Sequence, residues 1–222
     1  MFDDPSFRRG ARESSLLFFA TGAFGLAYGV LAVDAGLSPW LATLSSIVIV
    51  SGSAQFAMLG LLPAGPVPVL LSAAGLGLRH VPMSASLAEM IGLRSIWIRL
   101  RLAYILVDET FGLTVRAHNS GVEDVVAYKT AADLVLYSGW MLGTVTGAWF
   151  GSSIDPEAVG IGVFFPLLFL GLAVPLVHER RDLLVAALAV AATLIATLTL
   201  PQAWQLTAAA TVAALIGAGL GE

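Results

Sequence analysis

Apolar runs of membrane-crossing length follow one another along most of this chain, and they leave few folds open to it. A helix rises 1.5 Å per residue, so about 20 apolar residues cover the hydrocarbon core of a bilayer. Runs of that order are Ser15–Gly36, Trp40–Leu62, Val67–Leu93, Val126–Trp149, Ala158–Val177, Leu183–Leu200 and Trp204–Leu220. Hydrocarbon offers the backbone no hydrogen-bond partners, so each run must satisfy its own, and a helix does so. Only 12% of the 222 residues are charged, half the share of about 25% in soluble domains, and the mean hydropathy is +0.88. No stretch is polar for long enough to form a soluble domain. The expected fold is all-α, a polytopic helical bundle in the lipid bilayer. It forms a single transmembrane domain over residues 1–222, with 1–13 as a cytoplasmic amino-terminal segment.

Several function classes drop out at once. There is no cysteine, which removes disulfides, haem attachment and thiolate metal sites. His80, His118 and His178 lack close ligand spacing for a metal. No Gly-rich loop ending in Lys-Ser or Lys-Thr is present, so ATP is not the energy source within this chain. No basic domain supports nucleic-acid binding, and no cofactor is expected. The first run, preceded by Arg8, Arg9 and Arg12, is too long for a signal-peptide core.

Topology follows from positive charge, because Lys and Arg favour the cytoplasmic side. The basic clusters are Arg8, Arg9 and Arg12; Arg94, Arg99 and Arg101; Arg116 with Lys129; and Arg180 with Arg181. The loops Leu37–Pro39, Pro63–Pro66 and Gly151–Pro156 carry neither residue. Three apolar runs separate the first two clusters, an odd number, so one of them should be broken or re-entrant. The stretch Leu102–Val115, apolar apart from Asp108, Glu109 and two threonines, is short enough to be re-entrant too. The expectation is six full spans plus two broken or re-entrant segments, with both termini cytoplasmic.

Two of the early runs carry marks of interruption. Trp40–Leu62 holds Ser51-Gly52-Ser53-Ala54-Gln55 in its middle, where Gly costs about 1 kcal/mol against Ala and Ser and Gln offer the backbone other partners. Val67–Leu93 holds Gly75, Gly77 and Arg79-His80-Val81-Pro82, and proline disfavours helical geometry before it. Such breaks survive at membrane depth only where protein or a cavity satisfies them, and transporters use them to present helix ends to substrate.

Ionisable residues inside these runs are the candidate site, since a charge in hydrocarbon is costly and usually lines a pathway. Ser51, Gly52, Ser53 and Gln55 could bind a ligand with an unwound backbone and side-chain hydrogen bonds, with Phe56 as an apolar wall; small residues there could equally serve close helix packing. Arg79 could bind a carboxylate or neutralise Asp108 or Glu109, or it could snorkel to headgroups. His80 could relay protons. Asp108 and Glu109 are adjacent, so both face one cavity only if the helix is broken; one of them would hold an ammonium or carry a proton, unless it serves a structural ion pair with Arg79. Gly139, Gly143, Gly147 and Gly151 recur every four residues and read as a flat packing face, whose partner lies either in this chain or in another subunit. Asp133 is a further intramembrane acid or lies near the inner surface beside Lys129.

Taken together, these motifs make the chain similar to a known family. Gly25 through Gly29, Ser51-Gly52-Ser53-Ala54-Gln55-Phe56, Arg79-His80, Asp108-Glu109-Thr110-Phe111 and the Trp140, Gly143, Gly147 spacing resemble the AzlC-like large subunit of bacterial branched-chain amino acid export permeases. The likeness covers roughly residues 14 to 150. It departs where that family commonly has Tyr-Gly after the Arg-His pair and this chain has Val81-Pro82-Met83-Ser84. The resemblance implies proton-driven export of hydrophobic amino acids across the bacterial inner membrane. It also implies a small hydrophobic AzlD-like partner subunit of about four helices. The substrate carboxylate would sit at a broken backbone around Gly52 to Gln55, helped by Arg79. Its ammonium would meet carbonyls or one of Asp108 and Glu109, and its side chain would lie against Phe56 and Phe111. The rival readings are an intramembrane serine protease using Ser53 and His80, which lacks a Gly-x-Ser-Gly motif, and a channel or structural membrane subunit.

Overall fold

A computed structural model describes residues 3–151, 177, 179–200 and five positions between 205 and 216. The expected spans Ala158–Val177 and Trp204–Leu220, the loop Gly151–Pro156 and His178 fall almost wholly outside these residues. Every α-helix and the one 3-10 turn found among the described residues belong to an all-helical fold, with no strand among them. The helices are α1 Pro5–Glu13, α2 Ser15–Asp34, α3 Pro39–Val48, α4 Gly52–Leu61, α5 Pro66–Gly77, α6 His80–Ile91, α7 Ile96–Tyr104, α8 Asp108–Asn119, α9 Val125–Phe150 and α10 Arg180–Thr199. Two of them, α2 and α10, are long and apolar enough to cross a bilayer unaided. The chain groups into two compact units, Met1–Phe56 with Leu76–Ile154, and Ala57–Gly75 with Asp155–Glu222. In the second, α10 opens with a reciprocal cap in which the Glu179 and Asp182 side chains satisfy first-turn amides, a device that fixes a helix start in the sequence itself.

The first unit is organised on α9, a helix of 26 residues. Asp124 caps it, accepting from the Val126 and Ala127 amides at 2.9 and 3.1 Å. Along one side lies α2, running parallel to it. A side-chain carbon at Gly139 would strike the Phe18 carbonyl, at Gly143 the Gly22 carbonyl and at Gly147 the Leu26 carbonyl, while Gly151 faces Val30. The register is constant, four residues on one helix for four on the other. From the opposite side, Gly25 meets the Trp140 carbonyl and Gly29 the Thr144 carbonyl. Small residues bring the two backbones into contact, and the gain is dispersion between main chains, which lipid cannot supply. Thr21 adds a hydrogen bond across the seam to the Leu136 carbonyl at 3.0 Å. The partner of the glycine face is thus α2 of the same chain.

At the carboxyl-terminal end of α1 a charge node ties three helices. The Arg9 guanidinium donates to Glu13 Oε1 at 2.8 Å, the Tyr128 hydroxyl to Glu13 Oε2 at 2.6 Å, and Arg116 approaches the same oxygen at 3.5 Å. The Arg9 bond above all holds the Glu13 carboxyl below the usual carboxylate range. On the other side of α9, Met83, Leu87 and Ile91 recur at helical spacing on α6 and pack with Leu102, Leu106 and Val125 as a buried apolar cluster. Large apolar side chains such as Phe19, Trp40, Trp97 and Phe150 stay exposed, as suits a surface whose solvent is lipid.

Candidate substrate and ion site

Three of the expected runs are interrupted, and the interruptions converge. The first falls at 49–51, between α3 and α4. It lies earlier than the motif suggested: Gly52, Ser53 and Gln55 form the first turn of α4, and the Gln55 amide already donates to the Ser51 carbonyl at 3.0 Å. The unwound residues are Ile49, Val50 and Ser51. Placement of the whole Gly52–Gln55 segment in broken backbone is corrected accordingly. β-Branched Ile49 and Val50 accept extended geometry readily, and the Ile49 backbone takes it. The second break is the turn at 78–79, and Pro82 sits in the first turn of α6 that follows it, where its missing N–H costs nothing. The third falls at 105–107, and α8 starts on Asp108 and Glu109, whose charges complement the positive end of the helix. Parity asked for one interruption among the first three runs; the structure holds two there.

Arg79 joins all three breaks. Its Nη2 donates to Ser53 Oγ at 2.9 Å and to Ser51 Oγ at 3.5 Å, and it meets Asp108 Oδ2 at 3.3 Å. The two serine hydroxyls lie 3.4 Å apart. This ion pair is open, with side-chain exposures of 39% for Arg79 and 52% for Asp108. Glu109 is exposed and forms no ion pair among the described residues. His80 turns Nδ1 to the Gly77 carbonyl at 3.0 Å. Ser53 therefore has a guanidinium, not a base, as its hydrogen-bond partner, and the geometry does not favour the serine-protease reading.

Gln55 lies elsewhere. It is fully buried and donates to Ser46 Oγ at 2.8 Å. Ser46 in turn meets Trp140 Nε1 at 3.1 Å and Thr144 Oγ1 at 3.2 Å. The Tyr28 hydroxyl meets Ser45 Oγ at 2.6 Å. This network locks α3 and the first turn of α4 onto α2 and α9, so Gln55 positions the break and does not line it. The Tyr28, Phe56 and Trp140 rings form a cluster with centroids 5.6–6.0 Å apart. The position of Gly52 explains its small size: an added carbon would lie 3.1 Å from the Trp140 ring. An aromatic floor thus lies beneath the residue between Ser51 and Ser53. Phe111, expected as a wall beside Phe56, packs instead against the cluster of Met83, Leu87 and Leu102.

Sequence reading put Asp133 either within the membrane or near its surface beside Lys129, and did not foresee that the two form a sealed pair. Lys129, taken there as a flanking basic residue, has no exposed side-chain surface, and Asp133 is 4% exposed. Lys129 Nζ donates to both Asp133 oxygens at 2.7 and 2.9 Å, to the Ile105 carbonyl at 3.2 Å and to Thr110 Oγ1 at 3.5 Å. The signal was present in their i, i+4 spacing on one helix. Proximity to Arg116 pointed the other way. Arg101, counted in the second basic cluster, donates to Thr130 Oγ1 at 3.0 Å.

Interrupted helices gathered around charged groups, in a chain with exposed apolar faces, define a membrane protein of the transporter type. The chain belongs to the AzlC family: the family model described as AzlC protein matches residues 17–154. It is similar to an uncharacterized membrane protein of Archaeoglobus fulgidus, 31% identical over 178 residues that cover 79% of this chain and 78% of the relative. It is also similar to the inner membrane protein YgaZ of Escherichia coli, 26% identical over 203 residues that cover 84% and 80%. No solved structure matches the chain.

Proposed function

We propose that this protein is a secondary transporter that exports branched-chain or similar hydrophobic amino acids, and that the Arg79–Asp108 pair is where the substrate binds. The observation that carries this reading is the open ion pair at 3.3 Å, placed where three helix breaks meet. An amino acid zwitterion carries the same two charges. Its carboxylate can replace Asp108 on the Arg79 fork, with the Ser51 and Ser53 hydroxyls, which already meet Arg79, as further partners. Its ammonium can replace Arg79 on Asp108. Each protein charge then exchanges one partner for another, and neither is left bare in a medium where that costs several kcal/mol. The aliphatic side chain would lie against Phe56 and Trp140, whose rings cluster beside Gly52.

In this reading the chain is the large subunit of a two-component permease. It sits in the bacterial inner membrane beside a small hydrophobic AzlD-like subunit, crosses it about six times with both termini cytoplasmic, and draws energy from the proton gradient. Helices rocking around a fixed site with broken segments would give alternating access. The test is efflux of preloaded labelled valine from cells expressing both chains. Arg79→Gln and Asp108→Asn should each abolish efflux at wild-type membrane levels of protein. Normal efflux by both variants would sink the assignment.

A further inference from the structure

We propose that Lys129 and Asp133 form the proton-carrying couple of this transporter, and that the backbone break at 105–107 senses their protonation state. This deepens the transport reading above and rests on it. An ion pair that only braced a helix would need its two members alone. Here the ammonium also holds the Ile105 carbonyl, exposed because α7 ends at Tyr104, and the hydroxyl of Thr110 in the first turn of α8. Thr110 in turn points its hydroxyl at the Val107 carbonyl, 3.5 Å away. Lys129 thus holds together the two sides of a gap in the helix.

Few other charges bear on the couple. Arg101 of α7 is one step away through Thr130. From α8 come the uncharged hydroxyls of Thr110 and Thr114, both buried. On α6, Glu89 is exposed and His80 is bonded to Gly77. On α1, Glu13 is engaged by Arg9, Tyr128 and Arg116. Tyr104 and Tyr137 stand edge to face, and the Tyr104 hydroxyl donates to the Ile47 carbonyl. The nearest acceptor for a Lys129 proton is therefore Asp133.

The step balances without a co-reactant. One proton moves from Nζ to an Asp133 oxygen along the shorter contact, and the nitrogen keeps its electron pair. Ammonium and carboxylate become amine and carboxylic acid, with no change in net charge. The amine has no charge and one fewer N–H, so it holds the Ile105 carbonyl and Thr110 less strongly. Once the loosened break at 105–107 admits water to the couple, the acid releases its proton to that water on one side, and the amine takes up another from the opposite side. The link to substrate is short: Ile105 is three residues before Asp108, the partner of Arg79. Tyr104 also ties the same break to Ile47, at the edge of the break at 49–51.

The test is hydrogen–deuterium exchange of the 105–111 segment in the full chain reconstituted with its partner, followed from acidic to alkaline pH and normalised for intrinsic exchange. The wild type should lose protection there as the ammonium is deprotonated. Lys129→Met with Asp133→Leu, which leaves no buried charge unpaired, should show a flat profile. A flat wild-type profile, or a rise that the double variant keeps, overturns the proposal. In vesicles, the folded double variant should lose valine flux driven by a pH gradient and keep valine counterflow; equal loss of both also overturns it. If the wild type moves no valine at all, the transport reading fails, while the exchange profiles still decide whether the couple controls the break.

Discussion

Arg79–Asp108 and Lys129–Asp133 lie in the same unit of this molecule, and the two ion pairs differ in nearly everything except charge. Arg79–Asp108 joins two helices across a break, is about half exposed and makes a single contact at 3.3 Å. Lys129–Asp133 lies within one helix, is sealed from solvent and makes two contacts below 3 Å. A pair that can be hydrated is cheap to open, because water takes over from each lost partner. A sealed pair has no such substitute, so it opens only if the charge itself disappears. The open pair therefore suits exchange with a zwitterion, and the sealed pair suits a proton.

Stability measurements can break this contrast. Lys129→Ala strands Asp133 in the interior, and loss of one member of a buried pair costs about 3–5 kcal/mol. Thermal unfolding in detergent should show a large drop, with most of it restored in the Lys129→Met, Asp133→Leu double variant. Arg79→Gln should cost only about 0–1 kcal/mol and leave the melting temperature nearly unchanged while transport is lost. Equal destabilisation by Lys129→Ala and Arg79→Gln would erase the distinction. The smallest effect belongs to Glu13. Its carboxyl is held below the usual range, so the folded state binds its proton less readily than the unfolded chain. The resulting stability is present above the unfolded value and lost as pH falls through the folded one. Glu13→Gln should be slightly less stable than wild type near neutrality and converge with it in acid, as read from melting temperature against pH.

Much of the site was legible before any coordinates. The apolar runs, the polar interruption at Ser51-Gly52-Ser53, the Arg79-His80-Val81-Pro82 turn and the adjacent acids at 108 and 109 are local features, and local chemistry placed helix ends near each of them. Long-range partners were not legible to the same degree. Gln55 and Ser51 look alike in sequence as polar residues near a break, yet Gln55 is drawn into the seam by Ser46 and Ser51 is left for Arg79. Phe56 and Phe111 read alike as apolar walls, but they pack in different clusters.

Hydropathy and the period of small residues determined the class of this protein, since a backbone in lipid must bond within its own helix and glycines every four residues must pack against something. Tertiary structure alone decided which charge is open and which is sealed. Lys129 and Arg116 are both cations near the polar end of an apolar run. What separates them is the gap that α7 and α8 leave beside α9, and a gap between elements has no representation in the order of residues along a chain.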